Sequence, residues 1–257
     1  MTSSERGLLE VRRAGPACIL TLRREAKLNA ISSALEDELL RALASDQVVE
    51  SACVVFTGGP KVFSAGADLN ELRDPDPASI LDYYRRTGDV YEHVAALEQP
   101  SVSAIAGYAL GAGLELALAT DFRIADETAV FGLPEVSLGI VPSSGGLLRL
   151  VRLVGPSTAK DLMLLRDRVT AEEALALGLV NEVVPAGTAL ERALELAERL
   201  AALPRLAVSV AKRAADLVPE SSREAGILIE RLAYGMLAQT EDARAATEAF
   251  ARRRKQG

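Results

Sequence analysis

Two glutamates in apolar stretches carry the residue type best suited to chemistry. Across residues 102–120 the only ionisable side chains are Tyr108 and Glu115, and Glu135 follows Pro134 in a second, mostly apolar stretch. Burial shifts the pKa of a carboxyl group toward that of a general acid or base. The pair therefore indicates proton transfer, although a glutamate complementing a helix dipole and a proline-flanked surface glutamate would explain the same residues without function.

Two glycine-rich turns can supply backbone donors. Gly111-Ala-Gly113 precedes the predicted helix that carries Glu115, and Ser-Ala-Gly-Ala at residues 64–67 follows a predicted strand. A helix start leaves N–H groups unpaired, and small side chains leave them accessible. Neither a P-loop nor a dinucleotide-binding pattern is present, so a phosphate site is not favoured. The turns instead favour an oxyanion formed at a carbonyl, with the glutamates moving protons at neighbouring carbons.

The elements that position these residues change character along the chain. A Ser33-x-x-Glu36 capping box predicts a helix over residues 33–44, and a Pro-rich run near 74–77 predicts a mobile surface segment at about 70–80 before a helix resumes over 80–97. Short β-branched runs predict strands at 17–22, 52–57, 102–106, 122–125 and 129–131. Helices follow at 157–165, 170–177, 189–202, 206–217 and 222–253, with capping boxes at Thr170-x-x-Glu173 and Thr188-x-x-Glu191. We expect a mixed core over 1–187 and a helical region over 188–257.

Composition narrows the class of protein. The 257 residues are 49% hydrophobic and 25% charged, which excludes a disordered or collagen-like chain. The net charge of −7 gives no general basis for binding nucleic acid. Cys18 and Cys53 lie in apolar runs, which predicts buried thiols rather than a disulfide or a metal site. The N-terminus lacks a signal-peptide core and residues 102–120 make a poor membrane span, so we expect a cytoplasmic protein.

Collinear motifs add a resemblance to these inferences. Residues 63–69 (Phe-Ser-Ala-Gly-Ala-Asp-Leu), 107–116, 134–135 and 138–146 resemble the crotonase, or enoyl-CoA hydratase/isomerase, superfamily. The resemblance extends from residues 27–30 through 171–181 to the helical C-terminus. It implies an α/β fold, a spiral of strand–strand–helix units with a helical C-terminal region that trimerises. A homotrimer or a homohexamer, as a dimer of trimers, is expected.

The resemblance also implies site residues and a reaction. Glu115 and Glu135 match the two catalytic glutamates, and the N–H groups of Ala65 and Ala112 match the oxyanion hole. Water would add across the 2-trans double bond of an enoyl-CoA, with Glu115 assisting attack at C3 and Glu135 delivering a proton to C2. No metal or other cofactor is implied, because CoA arrives with the acyl-CoA substrate. The implied substrate and CoA contacts are Lys27, Leu28, Ala30, Ala65, Gly66, Ala67, Asp68, Leu69, Gly111 and Ala112.

Departures from the family pattern leave alternatives open. Position 112 is Ala where Gly is frequent, and a left-handed backbone there would be costly. Ser143 replaces an aspartate used by some isomerases, which disfavours but does not remove a Δ3,Δ2-enoyl-CoA isomerase. A specialised dehydratase resembling one for carnitinyl-CoA and a non-catalytic acyl-CoA binder also remain. The basic tail at 252–255 either meets CoA phosphate or is a solvated charge run. Further possible acyl-pocket residues are Leu81, Tyr83, Tyr84, Leu138 and Ile140.

Overall fold

The computed structural model describes residues 7–71 and 77–254, which form two β-sheets and their covering helices. The larger sheet has six strands in the order β1-β2-β3-β4-β6-β9, and the smaller has three in the order β5-β7-β8. β1 and β2 form an antiparallel hairpin, and the remaining pairs of the larger sheet are parallel. The strands are β1 Leu9–Ala14, β2 Ala17–Leu22, β3 Cys53–Thr57, β4 Ser101–Ile105, β5 Tyr108–Leu110, β6 Phe122–Asp126, β7 Val130–Gly132, β8 Val169–Thr170 and β9 Glu182–Val184.

The helices follow the strands in a repeating pattern. β1 and β2 lead to α1, β4 and β5 lead to α4, and β6 and β7 lead to α5. In each of the last two units, one strand joins the larger sheet and the next joins the smaller sheet. The pattern is the predicted spiral of strand–strand–helix units. The helices are α1 Ser33–Leu43, α2 Asp46–Val49, α3 Pro77–Ala95, α4 Ala112–Ala119, α5 Gly146–Leu164, α6 Ala171–Ala176, α7 Ala189–Ala201, α8 Arg205–Leu217, α9 Arg223–Leu237 and α10 Glu241–Arg254.

The larger sheet is buried on both faces. Every residue of β3 and β4 is buried, which fits the largely apolar sequence of β3. β4 includes two serines, whose buried hydroxyls bond to the side chains of Asp121 and Thr120. One face packs against α1, α3 and α4, and the other packs against α7. Ala189, Ala193 and Ala197 recur at four-residue spacing on α7 and are buried against the sheet. These small side chains let the helix lie close to the strands.

The helix α4 lies inside the molecule, and a buried arginine holds its far end. Seven of its residues, including Glu115, are buried, which fits a helix that is apolar on nearly every side. The Arg123 guanidinium donates to the carbonyls of Ala117 and Thr120 at 3.3 and 2.7 Å, and to that of Leu179 at 2.8 Å. The carbonyl of Thr120, which follows the last residue of α4, is thereby satisfied.

The sequence-based elements are largely confirmed, with physical reasons for the differences. All five predicted strands are present within a residue or two, but β1, β5, β8 and β9 were not predicted because they are short or carry charged residues. The prediction of a single helix over 222–253 is wrong, because the chain forms two helices there, α9 and α10. Thr240 precedes α10, and its hydroxyl accepts from the N–H of Ala243. α5 begins earlier than predicted and is interrupted at Gly155, whose φ is +79°.

Two of the three predicted capping boxes are corrected. Ser32, rather than Ser33, caps α1, because its hydroxyl accepts from the N–H of Leu35; Glu36 therefore turns to the buried face of the helix. Thr188 precedes α7 but makes no capping hydrogen bond to it. The box of Thr170 and Glu173 is present in full.

The C-terminal helices differ from the rest in exposure. α8 has no buried residue and α9 has one, so apolar side chains of both face solvent in the single chain, among them Leu206, Leu228, Leu232, Tyr234 and Met236. The division at residue 187 stays a prediction, and α7, which follows it, packs on the sheet. Cys18 and Cys53 are buried free thiols. Across the described ranges, no helix is long and apolar enough to cross a membrane.

The two threonine sites give a matched test of helix capping. We expect Thr170→Ala to lower the free energy of unfolding by about 1 kcal/mol, because the cap of α6 is lost. Thr188→Ala, at the same sequence signature without the capping bond, should cost less than half as much. Urea unfolding of both variants measures the difference, and equal losses would contradict this account of the two caps.

Candidate active site

The two glycine-rich turns lie against each other. The N–H of Ser64 donates to the carbonyl of Tyr108 at 2.8 Å, and the N–H of Leu110 donates to the carbonyl of Ser64 at 3.0 Å. Gly66 then passes so close that an added Cβ would lie 3.0 Å from the carbonyl oxygen of Leu110. The chain therefore brings the turn after β3 onto the start of α4, as its small residues permit.

Ala112 begins α4 and offers its N–H to the space beside the turn. It is the first residue of the helix, and its N–H has no acceptor among the described residues. The left-handed backbone falls on Gly111, whose φ is +49°, and not on Ala112. Alanine at position 112 therefore meets no backbone penalty, which answers the question that the sequence raised.

The hydrogen bonding of the first turn disagrees with the predicted donor, Ala65. Its N–H already donates to the carbonyl of Leu28 at 2.9 Å. The neighbouring N–H groups are also used: that of Gly66 by the Ser64 hydroxyl and that of Asp68 by the carbonyl of Ile31. Within residues 64–68, Ala67 has the one N–H for which the described part of the chain holds no acceptor. In this turn, the N–H of Ala67 rather than that of Ala65 is therefore placed to donate to a bound group.

Glu115 is a buried carboxylate held by backbone donors. It is 3% exposed, and its Oε1 accepts from the N–H groups of Ser144 and Gly146 at 2.9 and 3.2 Å. A Cβ on Gly146 would lie 2.5 Å from that oxygen, so only glycine permits this approach. Burial raises the pKa of Glu115 above its usual value, while the backbone N–H groups and the charge of Arg149 oppose the increase.

Glu135 is buried with fewer hydrogen-bond donors to its carboxyl group than Glu115 has. It lies in a 3-10 helix, Pro134–Leu138, and its Oε2 has no hydrogen-bond partner within the described residues. Burial, with a smaller contribution from the charge of Glu115, raises the pKa of Glu135 to about 7. The two glutamates thus share one cavity but differ in how each carboxylate is stabilised.

One cavity of about 160 Å³ joins these groups. Of the predicted acyl-pocket residues, Tyr83, Leu138 and Ile140 line it; Leu81 does not and is mostly exposed, and the side chain of Tyr84 lies outside the described residues. The predicted site residues that line the cavity are Ala65, Gly66, Ala67, Leu69, Gly111, Ala112, Glu115 and Glu135.

Other predicted contacts form the support beside the cavity. Lys27, Leu28, Ala30 and Asp68 are absent from its lining. Asp68 accepts from the side chains of Arg24 and Lys27 at 2.8 and 3.2 Å, and these bonds hold the pKa of Asp68 well below its usual range. Any contact of this group with CoA stays a prediction, as does the role of the basic tail, whose side chains lie outside the described residues.

Asn29 and Tyr91 support the site and were not singled out from the sequence. The Asn29 amide donates to the carbonyls of Gly58 and Val62, both at 2.9 Å, and Asn29 and Leu28 adopt positive φ values of 53° and 52°. Asparagine tolerates that conformation, so an asparagine in a short polar loop could have predicted a turn with positive φ at this position. Tyr91 is fully buried on the cavity wall, and its pKa is raised by burial and by Glu36, to which it is hydrogen-bonded.

Comparisons with known proteins identify the family of this chain. The family model described as enoyl-CoA hydratase/isomerase matches residues 13–257. The chain belongs to the enoyl-CoA hydratase/isomerase family. A 2,3-dehydroadipyl-CoA hydratase of Escherichia coli is 42% identical over 92% of both chains, and a short-chain-enoyl-CoA hydratase of Clostridium acetobutylicum is 35% identical over 94% of this chain and 93% of that protein.

Solved structures of this family show the same fold. A crystal structure of an enoyl-CoA hydratase from Bacillus anthracis has a TM-score of 0.89 at 36% identity and covers 96% of each chain. The predicted crotonase-like spiral with a helical C-terminal region is therefore confirmed.

The pKa of Glu135 gives a prediction that needs no substrate. Its ionisation is easier in the unfolded chain, whose pKa lies near 4.5, than in the fold, where the pKa is about 7. Ionisation therefore destabilises the fold progressively from pH 4.5 to 7, and the full cost applies above pH 7. We expect Glu135→Gln to gain stability over the unmodified protein between pH 4.5 and 8, by on the order of 2–3 kcal/mol.

Denaturant unfolding at several pH values measures that gain. Glu127→Gln, a change of the same chemistry at an exposed position, is the control and should show a difference that does not vary with pH. A flat difference for Glu135→Gln as well would show that Glu135 ionises normally in the fold.

Proposed function

We propose that this protein is an enoyl-CoA hydratase, which adds water across the 2-trans double bond of an enoyl-CoA thioester. The observation that carries the proposal is one cavity lined by two buried glutamates and by Ala67 and Ala112, whose backbone N–H groups have no acceptor among the described residues. The hydratase names of the relatives support the same reaction.

In the proposed reaction the thioester oxygen accepts hydrogen bonds from Ala67 and Ala112. These donors stabilise the negative charge that develops on that oxygen when a nucleophile attacks C3. Glu115 takes a proton from water as its oxygen bonds to C3, and Glu135 gives a proton to C2. The product gains one hydroxyl group and one hydrogen, and a proton passing from Glu115 to Glu135 restores the starting state.

The unequal environments support this division of roles. Backbone donors and a nearby arginine favour the ionised form of Glu115, as a base requires. Glu135 has few such contacts, and its pKa of about 7 leaves a large protonated fraction near neutral pH. Proximity also opposes the ionisation of both groups at once.

The remaining features of the proposal concern substrate and assembly. Leu69, Leu138, Ile140 and Val141 give the cavity an apolar rim that suits an acyl chain. The exposed apolar side chains of α8 and α9 support a homotrimer or homohexamer built through the C-terminal helices. The reaction as written needs no cofactor beyond the CoA of its substrate, and we propose a cytoplasmic location with no nucleic-acid or membrane partner.

Hydration of crotonyl-CoA is the direct test. We expect the conjugated enoyl-thioester absorbance to fall with the unmodified protein, and Glu115→Gln and Glu135→Gln to slow this by about 100- to 10,000-fold because each removes one proton transfer. Glu127→Gln should retain full activity. Conversion of a 3-enoyl-CoA without any hydration would identify an isomerase. No reaction with crotonyl-CoA or longer, branched and carboxylated enoyl-CoAs, despite binding, would identify a non-catalytic binder.

The donor at position 112 can be removed without removing a side-chain function. Proline is tolerated at the first helical position, where the N–H has no helical partner, so Ala112→Pro should fold while lacking the donor. We expect kcat to fall by about 100- to 1000-fold. Ala112→Gly keeps the N–H and should stay within about threefold of the unmodified protein. Circular dichroism checks the fold, and an active proline variant would exclude this N–H as a donor.

A further inference from the structure

Arg149 lies behind the cavity, in the first turns of α5. Its guanidinium donates to the carbonyl of Ser144 at 3.1 Å and pairs with Glu92 of α3. The side chain is 14% exposed, whereas Glu92 is 68% exposed. Arg149 is not among the residues that line the cavity. A direct contact with substrate is therefore not the reason for its position.

The segment that Arg149 holds is the same one that binds Glu115. The carbonyl of Ser144 accepts from Arg149, while the N–H of Ser144 donates to Glu115. Gly145 has a φ of +80°, and a Cβ there would lie 2.4 Å from an Arg149 nitrogen, so the guanidinium fills the space of the missing side chain. The arginine and Glu115 thus hold residues 144–146 from opposite sides.

We propose that Arg149 is a positioning residue of this site: bridging Glu92 and Ser144, it fixes residues 144–146 so that their N–H groups stay directed at Glu115. Arginine suits this role because its fork of donors can bond two acceptors at fixed angles, which a lysine cannot reproduce. The positive charge adds a second effect on Glu115, since it favours the ionised carboxylate. The kinetic part of this inference rests on the proposed hydratase function.

The charged and titratable groups near Glu115 set the expected direction. Tyr91 of α3 and Glu135 of the 3-10 helix face it, and Glu36 of α1 lies behind Tyr91. All three are uncharged or negative, so within the part of the chain that the structure describes Arg149 is the cation that acts on Glu115. Removing Arg149 takes away the positive charge that favours the carboxylate and loosens the N–H donors, and both changes raise the pKa of Glu115.

Arg149→Met tests the inference through the pH profile. The acidic limb of kcat/KM, which follows ionisation of the base, should move to higher pH by about 0.5–1 unit. We expect kcat to fall by about 10- to 100-fold while KM changes less than about threefold, because no substrate contact is lost. Arg149→Lys keeps the charge and should return the limb toward its original position while restoring only part of kcat. Arg152→Met, an exposed arginine of the same helix, should change neither.

A substrate-free measurement separates this inference from the proposed function. Carbon NMR of protein with labelled glutamate carboxyls, with the Glu115 signal assigned by Glu115→Gln, should show Glu115 titrating at higher pH in Arg149→Met. If the unmodified protein fails to hydrate enoyl-CoA but this shift is present, the proposed reaction is wrong and the positioning role stands. An unchanged Glu115 titration in a folded Arg149→Met variant, or an acidic limb that stays in place, would overturn the inference.

Discussion

A carboxylate removed from water loses hydration worth several kcal/mol unless new donors replace it, and this fold places two such groups in one cavity. It treats them differently. Glu115 receives backbone donors from residues about 30 positions further along the chain, while Glu135 is left with an oxygen that bonds to nothing in the described structure. The two carboxyl groups differ in how far hydrogen-bond donors replace their lost hydration. This difference, more than the presence of two carboxyl groups, would make one the base and the other the acid.

Much of the surrounding architecture serves to keep that difference constant. α4 is buried on nearly all sides and held at its far end by Arg123, so the helix that carries Glu115 is firmly held in place. The first turn is fixed at both ends, by Ser64 against β5 and by the N–H of Asp68, which donates to the carbonyl of Ile31. The Asn29 amide holds the loop that precedes this turn. Backbone N–H groups need no side-chain ordering at the moment of reaction, which suits them to a preorganised site.

The sequence predicted the parts of this arrangement that depend on local patterns. Apolar runs marked the buried strands, and carboxyl groups in apolar stretches marked Glu115 and Glu135. The choice between Ala65 and Ala67 could not be made in this way, because it depends on the carbonyl of Leu28, which only the folded chain brings to Ala65. The contrast between the glutamates was equally hidden, since the donors of Glu115 lie beyond its local sequence. The sequence did not predict β1 and β9, because their charged residues interrupt the apolar pattern of a strand.

The adjacent glycines at 145 and 146 each leave a space that another residue occupies: the Arg149 guanidinium at the first and the Glu115 carboxyl at the second. The geometry of the site thus depends partly on the absence of side chains at these two positions. A saturation mutagenesis map of this protein would show intolerance at these two positions as severe as at the carboxyl groups, although neither glycine has a side chain to react. Related sequences should vary little at this dipeptide, for steric reasons. A ranking of residues by mutational sensitivity alone would therefore class these two glycines with the catalytic residues, although their role is to leave space.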